Sequence, residues 1–302
     1  MELAYLFVLQ LCSFALFYAR TTHAATARIL VYTATQQFRH DSIPTALEAL
    51  KAKQASIDVE FENTEDPSQF TDSNLANYDA LIFLSTTGED VALQRYFNLG
   101  GNFVGIHSAS DTLRNSTAYI NQLGSRFDYH ADLQNFTVNV IDGNHPSTSI
   151  LPTNWVIPDE VYNFEIDPRS LGATVVLAAD ESTVVDNGVR RFDQGTPHPL
   201  AWFAERGAGV QAGNVAGRSF YTSLGHLNET WRDELFISHV IGGISWVLQG
   251  NTTRAYNSSA QVGSLQASGS SSLAGSPPST ATTTSPPPSG SQNTSSYVSL
   301  PR

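Results

Sequence analysis

Between residues 27 and 250, short runs with almost no polar position alternate with stretches whose apolar residues recur at helical spacing. Residues 80–84 (Ala-Leu-Ile-Phe-Leu) and 103–106 (Phe-Val-Gly-Ile) are apolar throughout. A strand with one wet face alternates apolar and polar positions, so an unbroken run belongs to a sheet covered on both sides. Helices between such strands supply the cover, which implies a three-layer α/β domain with a mainly parallel sheet. Strands are expected at 28–34, 57–61, 80–84 and 102–106. Helices are expected at Ile43–Lys53, with Ser42 as N-cap and Pro44 in the first turn, and at 91–99. The second half is richer in strands, at 136–141, 174–179, 200–204 and 219–223, with a hairpin closing at Asp186-Asn187-Gly188. A last helix over 233–248 aligns Leu235, Phe236, Val240, Ile244, Val247 and Leu248 on one broad face that should pack on the sheet.

The ends of the chain are of a different kind. Residues 3–19 are nearly all apolar and lead through Arg20 to Thr22-His23-Ala24. This reads as a signal peptide over 1–24, too short for a comfortable membrane span and ending in small residues that suit cleavage, although no Lys or Arg precedes it. An uncleaved anchor is the alternative. Residues 251–302 turn to Ser, Thr, Pro and Gly with almost nothing apolar to bury, the composition of a disordered, O-glycosylated tail. No terminal hydrophobic stretch for a lipid anchor is expected. The domain is therefore placed at 25–250. Six Asn-x-Ser/Thr sequons, at Asn115, Asn135, Asn228, Asn251, Asn257 and Asn293, would carry glycans in a secreted, extracellular or wall-associated protein.

The one cysteine, Cys12, lies inside the signal segment. The processed chain would have no disulfide, no thiol nucleophile and no thiolate metal site, and its stability must come from the core. A folded unit of about 220 residues buries roughly 70% of its unfolded surface, enough without covalent staples. Lys plus Arg number 16 against 28 Asp plus Glu, a net charge of −12. Nucleic acid is not an expected partner, because binding it needs a basic face.

In an open α/β sheet, ligands bind beyond the carboxyl ends of the strands. Three histidines fall there: His40 after the first strand, His107 at the end of the fourth and His226 after the last. Each alone is more simply a hydrogen-bonded structural histidine; together they point to a shared cleft. His226 and Glu229, three residues apart where the last helical region begins, could ligate a metal of the Zn, Mn or Fe type, with His40, His107 or His198 completing the shell. Equally, Glu229 could simply favour a helix N-terminus.

Five ordered segments carry a resemblance: Phe38-Arg39-His40-Asp41-Ser42-Ile43, Gly105-Ile106-His107-Ser108-Ala109, Asp159-Glu160-Val161-Tyr162-Asn163-Phe164, Pro197-His198-Pro199-Leu200-Ala201-Trp202, and 221–226 leading to Glu229 and Trp231. Over residues 27–250 the chain resembles the trehalose-utilisation (ThuA-like) family, as a secreted, fungal-type member. The resemblance implies a flavodoxin-like fold related to class I glutamine amidotransferases, with His107 where those enzymes place their cysteine. Imidazole cannot replace a thiolate in that chemistry, so amidotransferase activity is not expected. Ser108 is the next nucleophile to consider, but Gly-Ile-His-Ser-Ala lacks the second glycine of a hydrolase elbow.

The resemblance further implies a carbohydrate substrate, a disaccharide, glycoside or oxidised sugar. His107, Glu160, His198 and His226 are the candidate catalytic residues, with His107 and Glu160 as acid and base. Arg39, His40, Tyr162, Trp202 and Trp231 are candidates for substrate binding, the aromatics by stacking or else as plain core. Asp111 is a further carboxylate near the elbow. A hydrolase, lyase or isomerase, a non-catalytic glycan-binding protein and a structural surface protein all remain open, as does a divalent transition metal such as Zn. His145 and His130 carry no assignment; His239 and Trp246 are read as structural.

Overall fold

A computed structural model describes residues 26–88, 93–249, 253–254 and 257–261. In chain order the elements are β1 (Ala27–Tyr32), α1 (Ile43–Lys53), β2 (Val59–Thr64), α2 (Asp72–Leu75), β3 (Ala80–Leu84), α3 (Gln94–Asn98), β4 (Asn102–Ile106), α4 (Thr117–Leu123), β5 (Phe127–His130), β6 (Gln134–Val140), β7 (Asn154–Asp159), β8 (Tyr162–Phe164), β9 (Thr174–Ala179), β10 (Pro199–Ala204), β11 (Ser219–Thr222), α5 (Asn228–Arg232) and α6 (Glu234–Leu248). A short antiparallel pair, β12 (Thr253–Arg254) and β13 (Asn257–Gln261), falls in the stretch expected to lack structure. The leader at 1–24, Asn251, Asn293 and residues 262–302 lie outside the described residues. Among those described, no helix is long and apolar enough to cross a membrane.

Nine strands form one mixed sheet in the order β2-β1-β3-β4-β11-β10-β9-β6-β7. The first five pair in parallel, and β10, β9, β6 and β7 add to them antiparallel. The parallel strands β1, β3, β4 and β11 feed both faces. Ile29 and Val31 of β1 enter one buried cluster, which includes Leu50 of α1 and Phe236, Val240 and Ile244 of α6. Leu30 and Tyr32 enter the other, with Leu75, Phe97, Tyr119 and Leu123 from α2, α3 and α4. The unbroken apolar runs of β3 and β4 are thus the signature of two helical layers, each buried large side chain contributing about 1.5–3 kcal/mol.

Three local expectations differ from the structure. Ser42 makes no capping bond; its Oγ reaches the Gly225 carbonyl instead, tying the start of α1 to the turn after β11. The Asp186-Asn187-Gly188 segment closes no hairpin. Its Asp186 carboxylate accepts the Gly188 N–H and the Tyr129 hydroxyl, so the turn chemistry serves to fix a long excursion between β9 and β10. Finally, Asn-Trp-Val-Ile-Pro-Asp at 154–159, outside the expected strands, forms an edge strand, β7, with alternating burial.

The parallel strands β1, β4 and β11 end at one edge of the sheet. The alternating directions across β10, β9, β6 and β7 bring the end of β7 to that same edge. His40, His107, Glu160 and His226 follow these four strand ends.

Candidate functional site

His107 opens the site. It leaves β4 with φ +54°, a conformation that costs a non-glycine residue about 1–3 kcal/mol and persists only where the surroundings enforce it. Gly105 makes room beneath, since a Cβ there would lie 3.0 Å from both Leu123 and Tyr221. The ring of His107 is fully buried, and its Nδ1 lies 2.7 Å from the Ser223 carbonyl oxygen. A carbonyl only accepts, so Nδ1 carries the hydrogen; burial holds the ring's pKa well below the ordinary value, leaving Nε2 as a bare lone pair.

That lone pair is the focus of the cluster. The Tyr162 hydroxyl donates to it at 3.1 Å. His40 Nε2 lies 3.1 Å away, His226 Nδ1 3.3 Å and Glu160 Oε2 3.7 Å. Glu160 Oε2 is 3.2 Å from His226 Nδ1. His40 is buried and pushed down to about 4, chiefly by desolvation, whereas His226 is raised by its hydrogen bond to Glu160.

Ligand atoms from His40, His107, Glu160 and His226 all lie within 4.8 Å of one another, a set able to hold a metal ion. Metal–ligand bonds of about 2.0–2.1 Å in a tetrahedron place the ligand atoms about 3.3 Å apart. The separations of 3.1, 3.2, 3.3 and 3.7 Å bracket that edge length. The outer contacts agree as well. The Ser223 carbonyl fixes the His107 tautomer, and Ser108 Oγ sits 3.5 Å from His40 Nδ1.

Asp159 builds the support behind the cluster. Completely buried, it accepts the N–H of Gly225 at 2.8 Å and those of His226 and Glu160 at 3.4 and 2.8 Å. Burial raises it to about 7, against the pull of these donors.

Other candidates lie elsewhere. Glu229 is exposed on α5 and outside the cluster; Glu160, 66 positions before His226, takes the carboxylate place that the three-residue spacing offered to Glu229. His198 is buried, with Nε2 donating to the Tyr162 carbonyl and Nδ1 3.0 Å from Glu181. Arg39 is ion-paired to Glu65 at 2.6 Å. Asp111 pairs with Arg114 rather than with an imidazole.

Among the aromatics, Tyr162 meets the cluster through its hydroxyl and through its ring, whose centroid lies 4.9 Å from that of His107. Trp202 and Trp231 are each 1% exposed and hydrogen-bonded through Nε1 to the carbonyls of Leu123 and Gly225, so neither can stack on a ligand. His130, without an assignment from sequence, places Nε2 3.6 Å from Glu160 Oε1 with its side chain 40% exposed. Its signal in the sequence is its place at the end of β5, a strand of four residues too short to carry a clear pattern. His145, His239 and Trp246 pack in the core on the α6 side. Of the sequons, Asn115 and Asn135 are exposed, whereas Asn228 is half-buried and bonded to Thr45.

The chain matches the ThuA family, described as trehalose utilisation, over residues 28–247. Among solved structures it is similar to a ThuA-like protein from Bacteroides uniformis ATCC 8492, with TM-score 0.59, 20% identity, and coverage of 77% of this chain and 96% of that one. A ThuA-like protein from Parabacteroides merdae ATCC 43184 gives TM-score 0.54, 18% identity, and coverage of 78% and 91%. No curated protein matches.

Proposed function

The chain belongs to the ThuA, or trehalose-utilisation, family, and on that premise we propose that it is a carbohydrate-active enzyme, a hydrolase, lyase or isomerase of a disaccharide, glycoside or oxidised sugar, centred on His40, His107, Glu160 and His226. The observation that carries this reading is the convergence of two imidazoles, His40 and His226, and the Glu160 carboxylate on the unprotonated Nε2 of a third, His107. The three nitrogens of His40, His107 and His226 would suit a divalent transition metal, Zn in the first place, with the fourth position open beside Glu160. Such an ion would polarise a sugar oxygen or lower the pKa of a bound water.

The chain's own groups divide the remaining work. His107, fully buried with Nδ1–H committed to Ser223, has no proton to give and acts as a fixed ligand. Glu160 is the acid–base group, because its Oε2 faces the imidazoles while its Oε1 faces the half-exposed His130. A proton accepted at Glu160 therefore has a route to solvent through His130. Tyr162 orients the cluster by its hydroxyl. The apolar leader at 3–19 and the sequons support a secreted glycoprotein with a small carbohydrate as partner.

The test is to incubate the purified chain with trehalose, other disaccharides and their keto derivatives, and to measure its metal by elemental analysis before and after His226→Ala. Turnover with about one metal per chain, both lost in the variant, supports the reading. Saturable binding without turnover would instead support a glycan-binding protein. Metal unchanged by His226→Ala would remove the metal from the site.

A further inference from the structure

With Tyr162, Trp202 and Trp231 all 3% exposed or less, the aromatics expected to stack on a sugar are closed off. Another ring stands open beside the cluster. Phe38 is 64% exposed, and its ring meets that of His40 edge to face with centroids 4.8 Å apart. Resting on the carbohydrate reading above, we propose that Phe38 is the stacking platform of a sugar subsite at the mouth of the histidine cluster, and that the subsite takes a neutral pyranoside.

The segment that carries Phe38 is held, not loose. Thr35 bridges to Thr87, the Gln36 N–H donates to the Thr87 carbonyl at 2.8 Å, and the Gln37 N–H donates to Thr87 Oγ1 at 3.3 Å. Thr87 Oγ1 in turn donates to the Phe38 carbonyl at 3.0 Å. Apart from its edge contact with His40, a ring 64% exposed leaves most of its apolar surface in water. It gains from a ligand that covers it. A pyranose does so with its face of polarised C–H bonds, which meet the electron-rich face of the ring while the hydroxyls at the sugar's edge turn toward His40 and its neighbours.

The charges nearby select against an anion. The basic side chain next in sequence, Arg39, is bonded to Glu65 at 2.6 Å, and Asp41 is exposed on the other side of His40. Glu160 adds a carboxylate to the same centre. Outside the ion itself, a phosphorylated sugar would meet Asp41, Glu65 and Glu160, with the Arg39 guanidinium already committed to Glu65.

Calorimetric titration of the zinc-loaded full chain with trehalose, with methyl glucoside and with trehalose 6-phosphate tests the proposal on wild type, Phe38→Ala and Phe38→Trp. Phe38→Ala is expected to weaken trehalose binding on the order of tenfold, with metal content and melting temperature unchanged, and Phe38→Trp to restore it. The phosphate is expected to bind more weakly than trehalose. Trehalose binding equal in Phe38→Ala and wild type would overturn the platform and leave the enzyme reading standing. Tighter binding of the phosphate would overturn the neutral class. Loss of metal in Phe38→Ala matching its loss of binding would make Phe38 a structural residue. If wild type binds neither trehalose nor methyl glucoside, the carbohydrate reading falls and takes the platform with it.

Discussion

Asp159 Oδ2 accepts the backbone N–H of Gly225 at 2.8 Å, so a carboxylate at the end of β7 fixes the turn that carries His226. Removing it strands two or three buried donors, each worth about 1–3 kcal/mol. Asp159→Ala should therefore destabilise the chain by about 3 kcal/mol in urea unfolding and weaken zinc binding, while Asp159→Asn, which keeps one acceptor oxygen, should cost about half as much. Equal stability of Asp159→Ala and wild type would show that the turn holds itself.

Gly225 has φ +126°, which side-chain-bearing residues rarely adopt, and a Cβ there would come within 3.3 Å of Phe236 and 3.5 Å of Trp231. Gly225→Ala is expected to cost about 2 kcal/mol and to displace His226, the next residue. Thermal unfolding reads the first effect and zinc affinity the second. A variant that loses stability but keeps wild-type affinity would separate the turn's strain from the placement of His226.

An ion bound only by the folded chain raises stability by mass action. With free Zn at one hundred times its Kd the gain is about 2.7 kcal/mol, or roughly 5–10 °C in Tm for a domain of this size. The rise should reverse with chelator and disappear in both His226→Ala and His40→Ala. A rise that survives in those variants would place the ion elsewhere.

His239 lies fully buried on α6, with Nδ1–H donating to the Ser147 carbonyl at 2.8 Å and Nε2 without a partner. Burial pushes it down to about 4, whereas an unfolded histidine titrates near 6.5. The unfolded chain therefore takes up the proton first. Stability from this group is full above pH 6.5, falls as pH drops toward 4, and loses on the order of 3 kcal/mol below that. His145, pushed down to about 4 by burial as well, acts in the same direction. His239→Gln should flatten the decline between pH 6.5 and 4 by nearly one proton's slope; an unchanged slope would assign acid sensitivity to other groups.

The parallel half of the sheet was legible because burial on both faces leaves a one-dimensional mark. Ala80–Leu84 and Asn102–Ile106 form strands at the expected positions, and α1 spans the expected Ile43–Lys53. His40, His107 and His226 could be grouped because each follows a strand of that half. The carboxylate was harder. Glu160 follows β7, an edge strand whose alternating pattern in a Pro-containing segment is weak, and its closeness to His226 exists only across the sheet. Local spacing favoured Glu229 because sequence shows neighbours along the chain and not across it. Likewise Trp202 and Trp231 look alike as binding or core residues until their burial is known, and Phe38 differs from them only in exposure.

His40 and His107 are 67 residues apart, and His107 and His226 are 119 apart. Contacts of such span form late, after the loops between them have closed. No fragment that stops before β11 can assemble the cluster. Ion uptake would then serve as a clock: cobalt, whose colour depends on its ligands, would report the moment the last parallel strand takes its place, and a chain stalled short of that moment would stay colourless.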